Sequence, residues 1–333
     1  MRSAFSFSRM TMCLPQVSLL ISLLCGCSGL APSQGPQLRL EEVHPFGATR
    51  IAFSPSGTRL ASGGLMGEVQ VWSVPSGERL AGLSAHDGAI RGLLWLDNQH
   101  LLNASSRGQI LVWDPSSQAI TASLRTDRIS AAAFLPSPAR LYIGYSAGRV
   151  RSFGYPGFEQ HSEVDLASTV LSIAVQPTRQ WLAVSSAEGS VQLFDSRLRL
   201  VRKLQTPPGK VRELRFSPDG EQLAGGGWFS IYLWSTETGE LHIRETEHIG
   251  AVVSLDYSPD GEHLASMGRY TDSSLRVTDV ANGSVRRRLS PHPLCGWNVR
   301  FSPDGRMVGS SSEDGSIHLY DVTIPYQPSR YHQ

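Results

Sequence analysis

The sequence predicts an all-β fold assembled from seven similar units, and two observations lead to this prediction. The first is a repeat: seven residue pairs of similar type recur along the chain, namely Trp72-Ser73, Trp113-Asp114, Phe153-Gly154, Phe194-Asp195, Trp234-Ser235, Thr278-Asp279 and Tyr320-Asp321. Their successive spacings are 41, 40, 41, 40, 44 and 42 residues. The second is that each unit consists of short apolar or alternating runs separated by turn sequences, which favours strands over helices.

Each unit contains four such runs in a fixed order. The first run, for example "VRELRF" at 211–216, precedes a turn that reads "SPDG" at 217, 258 and 302 and "SPSG" at 54. A second run such as "LASGG" (60–64), a tight turn, a third run such as "VQVW" (69–72) and a fourth run such as "GERLAGL" (77–83) follow. Four strands in about 40 to 45 residues is the spacing of a propeller blade. The sequence therefore predicts a seven-bladed β-propeller over residues 44–321.

The ends of the repeat array predict how the ring closes. The seventh unit stops after its third run at Asp321, and "VTIPYQPSRYHQ" behind it does not resemble a fourth run. The missing run instead precedes unit one, because "PQLRLEEVH" (36–44) resembles "GERLAGLSAH" (77–86). We expect this N-terminal strand to complete the last blade and leave no open sheet edge. The predicted propeller domain spans 37–323, and residues 324–333 form a C-terminal tail.

The first 26 residues differ in character from the rest. Arg2 and Arg9 are their only charges, and the apolar run from Val17 is too short to span a bilayer but suits a signal peptide. The run ends in Leu24-Cys25-Gly26-Cys27, which resembles the bacterial lipoprotein box. That resemblance implies cleavage before Cys27, lipidation of Cys27 and a tether at 27–36. An ordinary secretory signal or an uncleaved anchor is the alternative. By the sorting rule of such lipoproteins, Ser28 does not favour retention in the inner membrane. We therefore expect the outer membrane, facing the periplasm, with the outer leaflet and the cell surface as open alternatives.

The repeats resemble the WD-repeat family through the closing Trp113-Asp114 pair and the histidines before the first runs, which are His44, His86, His248 and His292. The resemblance implies a hydrogen-bonded set of His, Ser or Thr, turn Asp and closing Trp in each blade. The turn position, however, reads Met66, Arg107, Ala147, Glu188, Trp228, Asp272 and Asp314. Unit seven comes nearest to a full set, and unit two lacks only the Asp. The expected structural residues are His86, Ser105, Trp113, Trp234, His248, His292, Asp314, Tyr320 and Asp321, with Ser310 or a neighbouring serine completing the set of unit seven.

The turn between the second and third runs is unusual in unit five. The residue after the turn-Asp position is Gly in five units, but it is Ser273 in unit six and Phe229 in unit five. Because a phenylalanine at positive φ is costly, we expect unit five to use a different turn. Trp228 and Phe229 either pack on the blade edge or on Tyr270, or they form a binding hot spot. Partner-binding candidates on this rim are Leu65, Met66, Arg107, Trp228, Phe229, Arg269 and Tyr270.

Other motifs point away from catalysis, cofactors and nucleic acid. "GYSAG" (144–148) matches the nucleophile elbow of hydrolases, but the repeat places Ser146 in a turn between two strands. The first runs should line the central channel, and their polar members Arg50, Arg91, Glu213 and Asn298 are not a metal-binding set. The 30 basic and 29 acidic residues leave the chain nearly neutral. Removal of the signal peptide would leave Cys295 without an internal disulfide partner.

The leading interpretation is a non-enzymatic scaffold for protein–protein interaction. We expect a monomeric propeller, anchored by lipid in the bacterial cell envelope, that binds envelope or membrane-associated proteins and holds no metal or cofactor. The alternative is a periplasmic propeller enzyme, or a cofactor- or metal-binding protein, that uses the central channel. A third interpretation is a cytoplasmic scaffold whose start codon has been misassigned, and it holds only if Cys27 carries no lipid.

Overall fold

The computed structural model describes residues 33–270 and 272–323. In these residues the regular secondary structure consists of strands alone, grouped in seven antiparallel sheets of four. The prediction of an all-β, seven-bladed propeller is confirmed. We number the strands in chain order and the blades by the unit that supplies their first strand.

The first three blades contain β2 to β13. Blade one comprises β2 Ala48–Phe53, β3 Arg59–Gly64, β4 Val69–Ser73 and β5 Arg79–Leu83. Blade two comprises β6 Ile90–Trp95, β7 Leu101–Ser105, β8 Gln109–Asp114 and β9 Ala119–Arg125. Blade three comprises β10 Ile129–Leu135, β11 Arg140–Tyr145, β12 Arg149–Gly154 and β13 Gln160–Asp165.

The remaining blades contain β14 to β28 and the N-terminal strand. Blade four comprises β14 Val170–Gln176, β15 Trp181–Ser186, β16 Val191–Asp195 and β17 Leu200–Lys203. Blade five comprises β18 Leu214–Phe216, β19 Gln222–Gly226, β20 Ser230–Ser235 and β21 Leu241–Glu245. Blade six comprises β22 Ala251–Tyr257, β23 His263–Arg269, β24 Leu275–Asp279 and β25 Val285–Leu289. Blade seven comprises β26 Gly296–Phe301, β27 Met307–Ser312, β28 Ile317–Asp321 and β1 Leu38–Leu40.

The ring is held together by contacts between neighbouring blades. The first strands touch in the order β2, β6, β10, β14, β18, β22 and β26, and β26 in turn touches β2. Apolar side chains fill the space between sheets: Leu193 of blade four packs in one cluster with Leu214 and Trp234 of blade five. The core is therefore divided into layers between blades, and the first strands surround the central channel.

The N-terminal strand closes the ring as predicted. β1 pairs antiparallel with β28, with Leu38 opposite Leu319 and Leu40 opposite Ile317. The Gln37 N–H extends this pairing by donating to the Leu319 carbonyl (2.7 Å). Leu40 packs in the apolar cluster between blades seven and one. Both ends of the repeat array thus meet in a single sheet.

Several predicted features lie outside the described residues. These are the signal peptide at 1–26, Cys27, the tether up to residue 32 and the tail from residue 324. Among the described residues, no helix is long and apolar enough to cross a membrane.

Candidate functional site

Two kinds of connection lie together on one side of the ring. These are the turns from the second to the third strand of a blade and the loops from a fourth strand to the next blade. Backbone hydrogen bonds join them: the Leu65 N–H donates to the Gly47 carbonyl (3.1 Å), and the Phe229 N–H donates to the Gly250 carbonyl (3.0 Å). We call this side the turn face. It carries all seven predicted rim residues, which are Leu65, Met66, Arg107, Trp228, Phe229, Arg269 and Tyr270.

Three aromatic rings from blades five and six meet on the turn face. Trp228 stacks on Tyr270 with ring centroids 5.5 Å apart and planes inclined by 12°. Phe229 lies 5.8 Å from Trp228 in a tilted arrangement. About half of each residue remains exposed, at 50% for Trp228, 49% for Phe229 and 51% for Tyr270. Packing against Tyr270 therefore covers only part of these rings, and we call the three residues the aromatic cluster.

The turn that carries the cluster differs from its counterparts, but not for the predicted reason. The Gly227 N–H donates to the Ser230 carbonyl across two residues, whereas the Gly64 N–H of blade one reaches Glu68 across three. The turn of blade five is thus one residue shorter than that of blade one, and the prediction that it differs in type is confirmed. The expectation that it spares Phe229 a positive φ is wrong, because Phe229 has φ +58° and Tyr270 has φ +74°. The bridge between Trp228 and Ala251 of blade six accompanies this geometry.

The aromatic cluster belongs to a longer apolar surface. Five further large apolar residues are exposed on the turn face, and they are Phe46, Leu65, Met66, Ile249 and Leu294. Together with the cluster they come from blades five, six, seven and one and the loops between them, which are consecutive in the ring. The other large apolar side chains found exposed in residues 33–270 and 272–323 lie on fourth strands, at Leu80, Ile120, Leu200, Val201 and Ile243. We call the turn-face set the apolar arc.

The two predicted rim arginines occupy different environments. Arg107 of blade two forms an exposed ion pair with Asp87 (2.7 Å) and lies outside the apolar arc. Arg269 pairs with Glu313, and its guanidinium lies over the Trp297 ring at 3.7 Å from the centroid and 5.7 Å from that of Tyr270. Arg269 therefore connects the aromatic cluster to the mouth of the central channel.

The histidine networks are more complete than the sequence comparison implied. In blade one, His44 Nε2 contacts Ser62 Oγ (2.9 Å) and Nδ1 contacts Glu68 (3.1 Å). The Trp72 indole N–H donates to the same Ser62 oxygen (3.0 Å). The carboxylate that contacts the histidine in this blade belongs to Glu68, which lies two residues after Met66, the residue that the repeat register places at the turn-Asp position. A full set therefore holds blade one.

The contact between histidine and carboxylate is closer in blade six than in blade seven. His248 contacts Asp272 (2.7 Å) and Ser266 (2.9 Å). In blade seven, His292 contacts Ser310 (2.8 Å) and Ser316 (2.9 Å), but Asp314 Oδ2 stays at 3.8 Å. The Tyr320 hydroxyl donates to the Ser290 carbonyl (2.6 Å) and also interacts with Ser310, so the closing residue of this blade joins the His292 network.

Blade two departs from the predicted register. His86 hydrogen-bonds to Asn103, which occupies the position that Ser62 holds in blade one, while Ser105 accepts a bond from the Gln109 backbone N–H (3.3 Å). The closing Trp113 is buried in the apolar cluster between blades one and two.

The closing residues of two other blades make hydrogen bonds of different kinds. The Trp234 indole N–H donates to the Gln205 carbonyl (2.8 Å), and the Asp321 carboxylate accepts from the Thr323 N–H (2.8 Å).

The central channel holds a network of partly buried charges that the sequence did not reveal. Glu213 of blade five accepts bonds from Arg215 and from Arg300 of blade seven, both at 2.7 Å. Asp256 of blade six pairs with Arg215 (3.2 Å) and accepts the Phe301 N–H (2.9 Å). Burial opposes ionisation of Glu213, but the neighbouring arginines outweigh it and lower its pKa to about 2. Three blades are thereby linked across the channel.

The remaining chemical candidates have ordinary surroundings. Ser146 lies in the turn between β11 and β12, as the repeat predicts, and not in the strand–turn–helix that a nucleophile elbow requires. Among the described residues, one group of potential metal ligands comes together, at Asp260, Glu262 and His263. Asp260 and Glu262 are exposed in the turn between the first two strands of blade six, and His263 begins the second of these strands.

Comparison with known proteins identifies part of the repeat array. The WD40 family model, described as "WD domain, G-beta repeat", matches residues 158–195, 198–235 and 283–321. Each match begins at or just before a fourth strand and ends with the third strand of the following blade. The chain therefore contains WD40 repeats, and the sequence repeat is offset by one strand from the structural blade.

Similar curated proteins are larger and share about a quarter of their aligned residues with this chain. The periodic tryptophan protein 2 homolog of Dictyostelium discoideum is 26% identical over 55% of this chain and 20% of its own length. Actin-interacting protein 1 of Drosophila melanogaster is 26% identical over 60% of this chain and 35% of its own length. A guanine nucleotide-binding protein subunit beta of Oryza sativa subsp. indica is 23% identical over 75% and 60%, respectively. The chain thus aligns with only part of each relative.

Proposed function

We propose that this WD40-repeat propeller is a non-enzymatic scaffold that binds other proteins through the apolar arc of its turn face. The observation that carries the proposal is the aromatic cluster. Two of its rings, Phe229 and Tyr270, are half exposed and stand on residues with positive φ. A bulky side chain in that conformation is a backbone outlier that costs about 1 kcal/mol or more.

A folded chain gains little stability from this arrangement. Half of each ring faces solvent, and five other blades place Gly67, Gly108, Gly148, Gly189 or Gly315 at the position of Phe229, each with positive φ. Exposed apolar patches of this kind mark interaction sites, and Trp and Tyr are enriched where binding energy is concentrated. The rigid ring beneath the cluster holds the rings in place, which reduces the entropy lost on binding.

The similar proteins support protein partners in general terms. One carries the name actin-interacting protein, and another is named as a subunit of a guanine nucleotide-binding protein. Both names describe association with other proteins. We infer that this chain also acts by association, with partners of its own.

We further propose that the scaffold is anchored by lipid at Cys27 in a bacterial cell envelope, at the outer membrane facing the periplasm. This proposal rests on the sequence of residues 1–28 alone, and the relatives named above are eukaryotic. A tether of about ten residues reaches at most roughly 35 Å, which would keep the ring near the membrane. Envelope or membrane-associated proteins are then the partners within reach.

A crosslinking pull-down from envelope fractions tests the interaction face. The baits are the full chain, a Trp228→Ala/Phe229→Gly variant, and a control variant with Ile120→Ala and Leu200→Ala on exposed fourth strands. We expect the full chain and the control to capture the same protein and the aromatic variant to lose it. Equal capture by all three baits, at equal thermal stability, would move the binding face away from the aromatic cluster.

Metabolic labelling with a fatty acid tests the anchor. We expect label in the wild-type chain and none in Cys27→Ser, together with release of Cys27→Ser from the membrane fraction. Cys295→Ser serves as the control, because it removes a cysteine without touching the lipoprotein box. Label in Cys27→Ser, or an unlabelled wild-type chain, contradicts the lipoprotein assignment and leaves the interaction-face proposal intact.

A further inference from the structure

The mouth of the central channel on the turn face is a basic cavity. It has a volume of about 310 Å³, and its wall contains five arginines and no aspartate or glutamate. These arginines are Arg50, Arg91, Arg128, Arg212 and Arg269, from five different blades or the loops that precede them. These five arginines are far apart in sequence and come together only when the ring has assembled.

Most of this charge has no counterpart within the described residues. Arg269 pairs with Glu313, whereas Arg91, Arg128 and Arg212 form no ion pair there. Arg50 donates to backbone carbonyls, from Nε to Arg91 O (3.2 Å) and from Nη1 to Thr49 O (2.9 Å). The carboxylates deeper in the channel are already engaged, since Glu213 is bonded to Arg215 and Arg300.

The positive groups also act on one another. Burial lowers the pKa of Arg91, and the charge of Arg269 lowers it further. Burial lowers the pKa of Arg50 to about 10, with the charges of Arg300, Arg91 and Arg215 adding to the effect against the attraction of Glu213. Like charges held at the rim of a low-dielectric cavity attract an anion that relieves their repulsion.

The mouth and the aromatic cluster share a wall. Tyr270 lines the cavity and also stacks on Trp228 (5.5 Å between centroids). The guanidiniums of Arg212 and Arg269 lie 5.9 Å and 5.7 Å from the Tyr270 ring. A ligand that extends from the cavity to the surface therefore meets cationic groups first and exposed aromatic rings next.

We propose that the channel mouth is an anion-binding site for a peptide segment of the partner, in which acidic side chains enter the mouth and an adjacent apolar side chain rests on the aromatic cluster. Carboxylates match the guanidinium fork geometrically and form its strongest hydrogen bonds. An isolated small anion would leave the exposed rings uncovered. A nucleic-acid strand requires a basic groove along the surface, whereas these arginines converge on one cavity. The inference rests on the proposed scaffold function and names the chemistry of its partner.

Fluorescence anisotropy with the purified full chain tests the site. The probe is a labelled glutamate-rich peptide with a leucine pair, and its counterpart carries glutamine in place of each glutamate. We expect the acidic peptide to bind, with an affinity that falls as salt rises, and the glutamine peptide to bind at least about tenfold more weakly. Equal binding of the two peptides would overturn the proposal.

Charge-matched variants locate the binding. Arg91→Gln/Arg212→Gln removes two unpaired arginines of the mouth, while Arg125→Gln/Lys203→Gln removes two exposed charges from fourth strands. We expect the first variant to weaken binding of the acidic peptide roughly tenfold or more and the second to change it by less than about twofold. Arg128→Gln, at an exposed loop position, provides an independent variant if the double change in the mouth impairs folding. Equal loss in mouth and control variants contradicts the site.

Competitors distinguish the acidic peptide from other anions. We expect unlabelled acidic peptide to displace the probe at lower concentration than inorganic phosphate or a single-stranded oligonucleotide. Stronger displacement by either of those would overturn the assignment to a peptide. If the partner captured in the pull-down still binds Arg91→Gln/Arg212→Gln with full affinity, this inference fails while the apolar arc remains its binding face.

Discussion

Phe229 has a positive φ at a position that glycine occupies in five other blades. Its φ of +58° lies in the left-handed region, which glycine enters without a steric penalty. Phe229→Ala and Phe229→Gly remove the same exposed ring, but only the glycine variant also removes the strain. We expect Phe229→Gly to have a free energy of unfolding about 1 kcal/mol above that of Phe229→Ala. Denaturant titration measures the difference, and an alanine variant of equal or higher stability would contradict the strain.

A pair of stacked histidines makes blade seven sensitive to acid. The rings of His292 and His318 lie 3.9 Å apart. Burial lowers both pKa values, to about 3 for His292, with the charge of His318 contributing, and to about 4 for His318, with the charge of Arg39 contributing. Asp314 acts in the opposite direction on both, and the Tyr320 hydroxyl contacts His318 (3.2 Å).

The sign of the pH effect follows from these shifts. Below pH about 6.5 these histidines bind protons in the unfolded chain but stay neutral in the folded blade. Their contribution to the free energy of unfolding is therefore fully present above that pH and is lost as the pH falls towards about 4. We expect the melting temperature to fall more steeply between pH 7 and pH 5 in the wild type than in His318→Leu. Parallel curves for the two proteins would show that the histidine pair does not titrate in this range.

At this scale the sequence predicted the residue types but not all of their partners. The histidines were placed by repeat register, whereas Glu68 and Asn103 replace expected partners because side chains from nearby positions reach the same ring. The positive φ of Phe229 was missed for a related reason. The repeat shows that a turn exists, but the loss of one residue from that turn changes its hydrogen bonds and hence its backbone angles.

Among the elements, β1 contributes more than its three residues suggest. It supplies the fourth strand of blade seven, and Leu40 is buried between blades seven and one. We expect deletion of residues 36–42 to lower the free energy of unfolding by several kcal/mol, because the edge of β28 and the cluster around Leu40 become exposed. Thermal and denaturant unfolding measure this change.

Two single substitutions in β1 distinguish the loss of its buried contacts from the mere shortening of the chain. Leu40→Ala should lower the free energy of unfolding by about 2 to 5 kcal/mol, whereas Arg39→Ala, on the exposed face of the same strand, should change it by less than about 0.5 kcal/mol. A truncated chain that melts like the full chain would show that β1 does not support the ring. The strand itself was predictable from the repeat, because its sequence matches the fourth run of other units and its position completes the count.

The whole ring depends on the charges in its channel. Glu213 is bonded to Arg215 and Arg300, and it also attracts Arg50, so that blades five, seven and one share one partly buried carboxylate. Glu213→Gln would remove one of the two channel carboxylates that offset these arginines and leave Asp256 as their remaining acidic neighbour. We expect this variant to lower the free energy of unfolding by about 3 kcal/mol, and by more at low salt. Unchanged stability across ionic strength would show that water or solutes already neutralise the cluster.

The channel also marks where sequence reasoning stops. Arg50, Arg91 and Glu213 were recognised as neighbours of the channel, because the period of the repeat places every first strand around it. The pairing of Glu213 with Arg300 and of Arg215 with Asp256 was not, because these contacts join residues of different blades that are at least a whole repeat apart. Periodicity predicts the scaffold, whereas the site depends on the residues in which the units differ.

The pairing of β1 with β28 has a consequence for how the protein is made. Leu38 must meet Leu319, so the strand that is synthesised early has no partner until the third strand of blade seven has left the ribosome. Until then the growing chain has an unpaired edge at each end, and both edges are open to other strands. Contacts this distant in sequence also slow folding. The ring can therefore close only after β28 has been synthesised. Incomplete chains that lack β28 would be prone to aggregate through the unpaired edges of their strands.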